Sequence, residues 1–271
     1  MGIFAPISNL THTIVSVPDL IEELLVVAAV VGVFVVLHAF VQRRLRSEML
    51  RRHNDVAGYL FSAVGVLYAV VLGFVVVVVW QKYDGAVANV ESEVDAVGNL
   101  YHVVDSYPEV LRNRIRTGLR TYSDIVAEIE WPAMARDAPV PWAGSAKLEE
   151  VAYLVDTFGS ANFKEFAAQQ AAMATEQRLF DARRSRLINA VPAVPSVLWF
   201  ALIVGALAMV VFCFIFGVEN RPAQLLMTAI LVGLIGILFI VILEFSTPFS
   251  GSVRISNEGW VYLQQRLPDI R

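Results

Sequence analysis

The sequence predicts an all-α polytopic membrane protein, with four transmembrane helices and a helical extramembrane domain between the second and third. Of its 271 residues, 57% are hydrophobic and only 17% are charged. Four apolar runs are long enough to cross a hydrocarbon layer of ~30 Å, and none alternates with a period of two, so each is a helix rather than a barrel strand. The runs cover about 20–41, 56–80, 194–218 and 223–245.

These runs divide the chain into four parts. We expect an N-terminal segment with the first transmembrane helix pair at 1–80 and the extramembrane domain at 81–193. The second helix pair follows at 194–245, and a C-terminal tail occupies 246–271. No Lys or Arg precedes Arg43, and the first run is longer than the apolar core of a signal peptide. We therefore expect this run to remain as a membrane anchor.

A short arginine-rich loop follows the first run. Because short cytoplasmic loops carry an excess of basic residues, this loop is predicted to be cytoplasmic, which places 81–193 on the outer side. A topology signal is our default interpretation, and contact with anionic lipid headgroups, at ~1 kcal/mol per arginine, is the alternative. The arginines are Arg43, Arg44, Arg46, Arg51 and Arg52.

The second run continues as a polar helix. Residues 58–80 contain no charged side chain, and the polar residues that follow include no helix breaker. The apolar positions beyond them recur every three or four residues, which is typical of a helix face packed against another helix. The acids Glu91, Glu93 and Asp95 are expected on the opposite, solvated face. The packed positions are Val87, Val90, Val94, Val97, Tyr101 and Val104.

The rest of the extramembrane domain is also predicted to be helical. Pro108 separates the long rod from a following helix, and the Pro-rich segment 131–144 is predicted to be a loop. A short helix is expected near 147–158 and a long one near 162–190. Apolar residues of the long helix are expected to face the rod. They are Phe163, Phe166, Met173, Phe180 and Leu187.

Small residues and one histidine mark helix contacts within the membrane. Gly205 in the third run and Gly233 and Gly236 in the fourth allow close approach of helix backbones in lipid. His38 lies near the end of the first run. An interhelical hydrogen bond is its expected role, and a proton or ion pathway is the alternative.

The residues predict neither catalysis nor a metal site. The four histidines are widely separated, and the sequence contains no HExxH motif, no Gly-rich phosphate loop and no GxSxG motif. Cys213 is the only cysteine, which excludes an intrachain disulfide. A net charge of −4 argues against a nucleic-acid partner. We therefore expect no enzyme activity and no cofactor.

The second spanning run offers a candidate pore. Val66, Val70 and Phe74 are spaced i, i+4 and i+8, so they form one stripe along a helix. If several copies surrounded an axis, this stripe would form a hydrophobic ring of the kind that gates by dewetting. Packing against lipid or another helix is the alternative interpretation.

Several separated motifs occur along the chain, namely RRHNDVAGYLFSAVGVLYAVVLGFVVVVVW, EVDAVGNLY, EIEWPAM, RRSRL and EFSTPFSGSVRIS. With these motifs the sequence resembles a bacterial four-transmembrane family that is described as bestrophin-like and whose function is unknown. The resemblance implies a multi-pass protein of the bacterial inner (plasma) membrane. The segment 71–75 with Trp80 is also similar to the pore-lining helix of bestrophin anion channels, which are pentamers. Their hydrophobic neck would then fall on Val66, Val70 and Phe74.

The sequence departs from those channels in three respects. No proline precedes the stripe, valine replaces an aromatic residue at position 70, and the acidic calcium clasp has no counterpart in 254–271. Calcium gating is therefore not expected. The resemblance also implies a cytosolic extramembrane domain, whereas the arginine loop predicts an outer one. Because the arginines belong to this sequence, we follow their count and predict that 81–193 lies on the outer side.

Two functional hypotheses result. The first is an oligomeric bestrophin-like channel that passes small anions through a hydrophobic neck on the second helix. The second is a non-conducting structural or accessory membrane subunit that recruits a partner through its helical extramembrane domain. Membrane lipid is an expected partner in both, together with further copies of the chain or another subunit of a membrane complex.

Overall fold

The computed structural model describes residues 13–44, 54–192, 194–217 and 220–267. Within these residues the chain is almost entirely helical, as predicted. The helices are α1 (Val17–Arg44), α2 (Asn54–Val103), α3 (Glu109–Ile125), α4 (Trp131–Met134), α5 (Ala143–Asp156), α6 (Phe163–Asn189), α7 (Ser196–Ile215), α8 (Arg221–Ser246) and α9 (Glu258–Arg266). A 3₁₀ turn at Val104–Ser106, a π-helix at Val126–Glu130 and two strands, β1 (Thr13–Val15) and β2 (Val253–Ile255), complete the fold.

Four of these helices, α1, α2, α7 and α8, are long and apolar enough to span a membrane. This confirms the four spanning helices predicted from the sequence. The third is shorter than its apolar run because Pro195 forms its N-cap and Phe216 adopts an extended backbone at its C-cap. The described chain forms two compact units, and each is described by itself below.

One unit, Ser16–Lys82 with Pro192–Ser246, contains the four apolar segments. Its core is an apolar cluster formed by Leu72, Val75 and Val79 of α2 with Leu202 and Ile242. Glycine contacts confirm the predicted close packing. A Cβ at Gly205 would overlap the ring of Tyr68, and one at Gly236 would lie 2.9 Å from a methyl group of Val27.

A chain of polar side chains joins α1 to α8 within this unit. His38 is fully buried, and its Nδ1 lies 2.8 Å from the hydroxyl of Thr228. The Gln42 amide donates to Gln224 Oε1 at 2.8 Å and lies 3.3 Å from Nε2 of the histidine. The predicted interhelical hydrogen bond of His38 is therefore confirmed.

The other unit contains Tyr83–Val191 together with the described residues of the two chain ends. Val90, Val94 and Val97 of α2 and Val104 of the 3₁₀ turn are fully buried, and Tyr101 is nearly so. Val87, the first position of the predicted packed face, is half-buried. The polar half of the rod therefore buries the face that its apolar spacing predicts.

The segment after α3 differs from its prediction. Residues 131–144 were predicted to be a loop, but Trp131–Met134 forms one helical turn after the π-helix, and α5 begins at Ala143. A proline fits the first turn of a helix because the amide hydrogen that it lacks has no helical partner there, and Pro132 lies in that turn. β1 pairs antiparallel with β2, with Thr13 opposite Ile255.

The predicted packed face of α6 is also wrong. Phe163 is 85% exposed and Phe166 50% exposed, whereas Thr175, Leu179 and Arg186 are buried. This helix buries the face that carries Arg183 and Arg186, because these two arginines find carboxylate partners inside the unit. Phe163 and Phe166 consequently face outward.

Candidate pore stripe and buried charge cluster

The candidate stripe lies on a free face of α2. Val66, Val70 and Phe74 are 65%, 66% and 68% exposed in the single chain. At ~100° per residue, Val70 and Phe74 lie ~160° around the helix from Leu72, which is buried in the core cluster. The stripe is therefore opposite the face that packs within its own unit.

Beyond Trp80, the exposed residues of α2 are mostly polar. Gln81, Asp84, Ser92, Asp95 and Asn99 are exposed. Two of these side chains, Asp84 and Asp95, are acidic. The exposed part of the helix that follows Trp80 is therefore polar and in part acidic.

The arginine group after α1 is described only in part. Arg43 and Arg44 are exposed at the end of α1, and the guanidinium of Arg44 lies 5.0 Å from the ring centre of Phe40. Arg46, Arg51 and Arg52 lie outside the described residues. The topological and lipid-contacting roles of all five arginines stay predictions.

Four buried charged side chains form a cluster in the extramembrane unit. Glu93 of α2, Glu130 of the π-helix and Arg183 and Arg186 of α6 are each 0–4% exposed. Arg186 contacts Glu93 through two bonds, Nε to Oε2 at 2.5 Å and Nη2 to Oε1 at 3.1 Å. We call these four residues the charge cluster. The expectation that Glu93 is solvated was wrong.

Glu130 links the two arginines of the charge cluster. Arg183 donates to both of its oxygens, at 2.9 and 2.7 Å, and Arg186 Nη2 donates to Oε2 at 2.8 Å. The Tyr122 hydroxyl donates to Glu93, and Ser145 accepts a further bond from Arg183 at 3.1 Å. Two carboxylates and two guanidiniums leave no net charge, which is how buried charges avoid a large desolvation penalty.

The pKa values in the cluster reflect this pairing. Burial by itself raises the pKa of Glu130, but hydrogen bonds and charges from Arg183 and Arg186 outweigh it, so this pKa lies below its usual value. Burial alone would lower the pKa of Arg186, but the negative charge of Glu93 outweighs burial, so this pKa lies above its usual value. Glu130, Arg183 and Arg186 are therefore ionised at neutral pH.

Local backbone features hold the cluster together. The π-helix ends at Glu130, and such helices shift the following side chains relative to an α-helix. Gly144 leaves room for the cluster, because a Cβ there would overlap the Glu130 carboxylate and lie 3.0 Å from Arg183 Nη1. The charge cluster therefore depends on the π-helix and on the absence of a side chain at Gly144.

A family model described as a bestrophin-like domain matches residues 25–259. The chain belongs to the bestrophin-like family. The fold agrees with solved structures of a bacterial bestrophin homologue from Klebsiella pneumoniae. One has a TM-score of 0.61 at 13% identity over 86% of this chain and 96% of that one. A variant of the homologue gives 0.65 at 13% identity over 92% and 97%. No curated protein sequence matches the chain.

Three of the five bestrophin-like motifs of the sequence meet at the charge cluster. EVDAVGNLY begins at Glu93, EIEWPAM contains Glu130, and RRSRL contains Arg183 and Arg186. In the sequence these three motifs are far apart, and no local pattern connects them. A signal was present, because Glu93 lies three residues after Val90 and four before Val97, on the face predicted to be packed.

The described part of this bestrophin-like chain contains no group of three or more His, Cys, Asp or Glu side chains arranged to hold a metal ion. The arginines of the charge cluster already occupy its carboxylates. The charge cluster is therefore a structural tie between α2, the π-helix and α6, and the exposed stripe of α2 remains the candidate for function.

Proposed function

We propose that the chain is a subunit of an oligomeric bestrophin-like channel. Copies of α2 would surround a common axis, and Val66, Val70 and Phe74 would form a hydrophobic neck that passes small anions. The observation that carries this proposal is the free stripe on α2, which lies opposite the packed face of its unit and is 65–68% exposed. Membership of the bestrophin-like family supports it.

A neck of valine and phenylalanine side chains acts through water rather than through charge. A narrow apolar ring that loses its water blocks ions, and a modest widening lets water and ions return. The chain becomes polar at Gln81, which is exposed, and this suits a water-filled opening next to such a ring. Gating by small movements of α2 follows from this arrangement.

The preference for anions rests on the family resemblance and on the chemistry of Phe74. The edge of an aromatic ring is electrically positive and its face is negative. Phenylalanines that present their edges to the axis would favour anions without any fixed charge, and residues 58–80 contain no charged side chain. The exposed Phe74 side chain is the group we expect to set selectivity.

Chloride flux from liposomes tests the proposal. Wild-type protein should release chloride, and Phe74→Ala should increase the rate severalfold because it widens the ring. Phe200→Ala is a matched control, since Phe200 of α7 is also 68% exposed and lies on another spanning helix. This control should leave the rate unchanged.

The accessory-subunit hypothesis predicts a different outcome. The absence of charged side chains from 58–80 favours it, because many selective pathways contain such groups. No flux from wild type or from Phe74→Ala, with protein of native mass, would support a non-conducting subunit and overturn the channel. A detergent-solubilised mass of about five copies is expected for the channel, whereas a monomer or dimer would contradict it.

For location, we place the chain in the bacterial inner membrane, with its extramembrane domain on the outer side. The arginines that follow α1 support this orientation. A cysteine at the exposed Ala161, after replacement of Cys213 by alanine, should react with an impermeant thiol reagent in intact cells. Labelling only after lysis would reverse the orientation.

A further inference from the structure

An open groove of about 600 Å³ lies between the start of α5 and the second half of α6. Its walls are mostly apolar side chains, among them Trp142, Phe180, Leu187, Ile188 and Val191. Three of these are largely exposed, with Trp142 at 71%, Ile188 at 59% and Val191 at 62%. An exposed apolar groove of this kind is typical of a binding surface.

Three charged residues also line the groove, namely Arg183, Arg184 and Glu149. Arg183 is committed to the charge cluster through its two bonds with Glu130. Arg184 and Glu149 are exposed, and neither makes a hydrogen bond or ion pair with any residue that the structure describes. The groove therefore presents one available cation and one available anion beside an apolar wall.

The connection between Val191, at the end of the groove, and the spanning helix α7 is short. Val191 lies five residues before Ser196, where the spanning helix α7 begins. Five residues reach at most ~20 Å even when fully extended. Tryptophan is enriched at the level of lipid headgroups, and Trp142 stands exposed at the groove. The Val191 end of the groove is thus the part nearest to membrane lipid along the chain.

We infer that the groove binds a membrane phospholipid with a primary ammonium headgroup, such as phosphatidylethanolamine. An acyl chain lies against Ile188 and Val191, the phosphate pairs with Arg184, and the ammonium group donates to Glu149. Glu149 repels a purely anionic headgroup, and a trimethylammonium headgroup has no N–H to donate to it. The inference is independent of whether α2 forms a pore.

Native mass spectrometry of the purified full-length protein in detergent tests this site. The protein is mixed with phosphatidylethanolamine, phosphatidylcholine or phosphatidylglycerol of identical acyl chains. Wild type should retain phosphatidylethanolamine several times more than the other two. Arg184→Gln should lower retention of all three lipids, and Glu149→Gln should abolish only the preference for phosphatidylethanolamine.

Two neighbouring residues supply matched controls. Arg178 is exposed on α6 outside the groove, and Glu150 is exposed on α5 and pairs with Lys147. Arg178→Gln and Glu150→Gln should retain the wild-type preference. Equal retention of the three lipids by wild type, or equal losses in the control variants, would overturn the inference. So would an intermolecular disulfide through Ile188→Cys in a Cys213→Ala background, which would show a second copy seated in the groove.

Discussion

At the scale of single residues, the largest difference between expectation and structure is Glu93. The residue types around it predicted the packed face of α2, but an isolated acid in a helix is usually solvated. Its partner Arg186 is 93 positions away in the sequence, so local spacing contains no record of the pairing. Such long-range ion pairs become visible only when the fold brings the two helices together.

Removal of Arg186 should destabilise the extramembrane unit strongly. Arg186→Met leaves the fully buried Glu93 without its guanidinium partner, and breaking a buried ion pair costs about 3–5 kcal/mol. The thermal unfolding midpoint in detergent should fall clearly. Arg178→Met, at an exposed position on the same helix, should leave the midpoint nearly unchanged. Equal midpoints for the two variants would contradict a structural role for the charge cluster.

Glu176 is another buried acid, and its environment differs from that of the charge cluster. It is 9% exposed, and among the described residues its buried Oε2 atom has no hydrogen-bond partner, nor does the buried hydroxyl of Tyr107. Burial, with a smaller contribution from the negative charge of Asp156, raises the pKa of Glu176 to about 7. The carboxyl group is therefore half protonated near neutral pH.

The raised pKa of Glu176 predicts that the folded structure around this residue becomes less stable as the pH rises. The folded state holds the proton up to about pH 7, whereas the unfolded chain releases it near 4.5, so stability falls across that window. Hydrogen exchange of α6 amides, corrected for intrinsic rates, should show more opening at pH 8 than at pH 5. Glu176→Gln should remove this dependence, and Asp181→Asn, at an exposed site, should keep it. An unchanged dependence in Glu176→Gln would refute the assignment.

At the scale of elements, the helices were more predictable than their faces. Apolar spacing predicted the packed side of α2 because long aliphatic runs alternate clearly with polar residues. It failed for α6, where buried Arg186 and exposed Phe163 reverse the usual assignment. The π-helix before α4 was not predicted, because its five residues are too few to show a spacing of their own in the sequence.

The helix contact at Gly205 leaves no space for a side chain at this position. A Cβ there would overlap the ring of Tyr68, whose hydroxyl donates to the Leu202 carbonyl at 3.2 Å. Gly205→Ala should therefore lower the thermal midpoint, with a loss of about 1–3 kcal/mol typical of overpacking. Gly32→Ala is the control, because nothing lies within 4 Å of a Cβ at Gly32 of α1. A midpoint for Gly205→Ala at or above that of Gly32→Ala would contradict this packing.

At the scale of the whole molecule, hydropathy alone predicted the four spanning helices. It could do so because lipid excludes any spanning structure with unpaired backbone groups. The candidate stripe was also identified by spacing, and the structure leaves it exposed in the single chain. Its role depends on contacts between copies of the chain, which a single sequence does not encode as a local pattern.

Cysteine modification at Val70 tests most directly whether the stripe lines a pore. Val70→Cys in a Cys213→Ala background, reconstituted into liposomes, is treated with a small charged methanethiosulfonate reagent during chloride efflux. We predict that modification reduces the efflux, whereas Val197→Cys on α7, at 68% exposure, should be insensitive. Chloride efflux that continues unchanged after Val70→Cys has been fully modified would contradict a pore lined by α2.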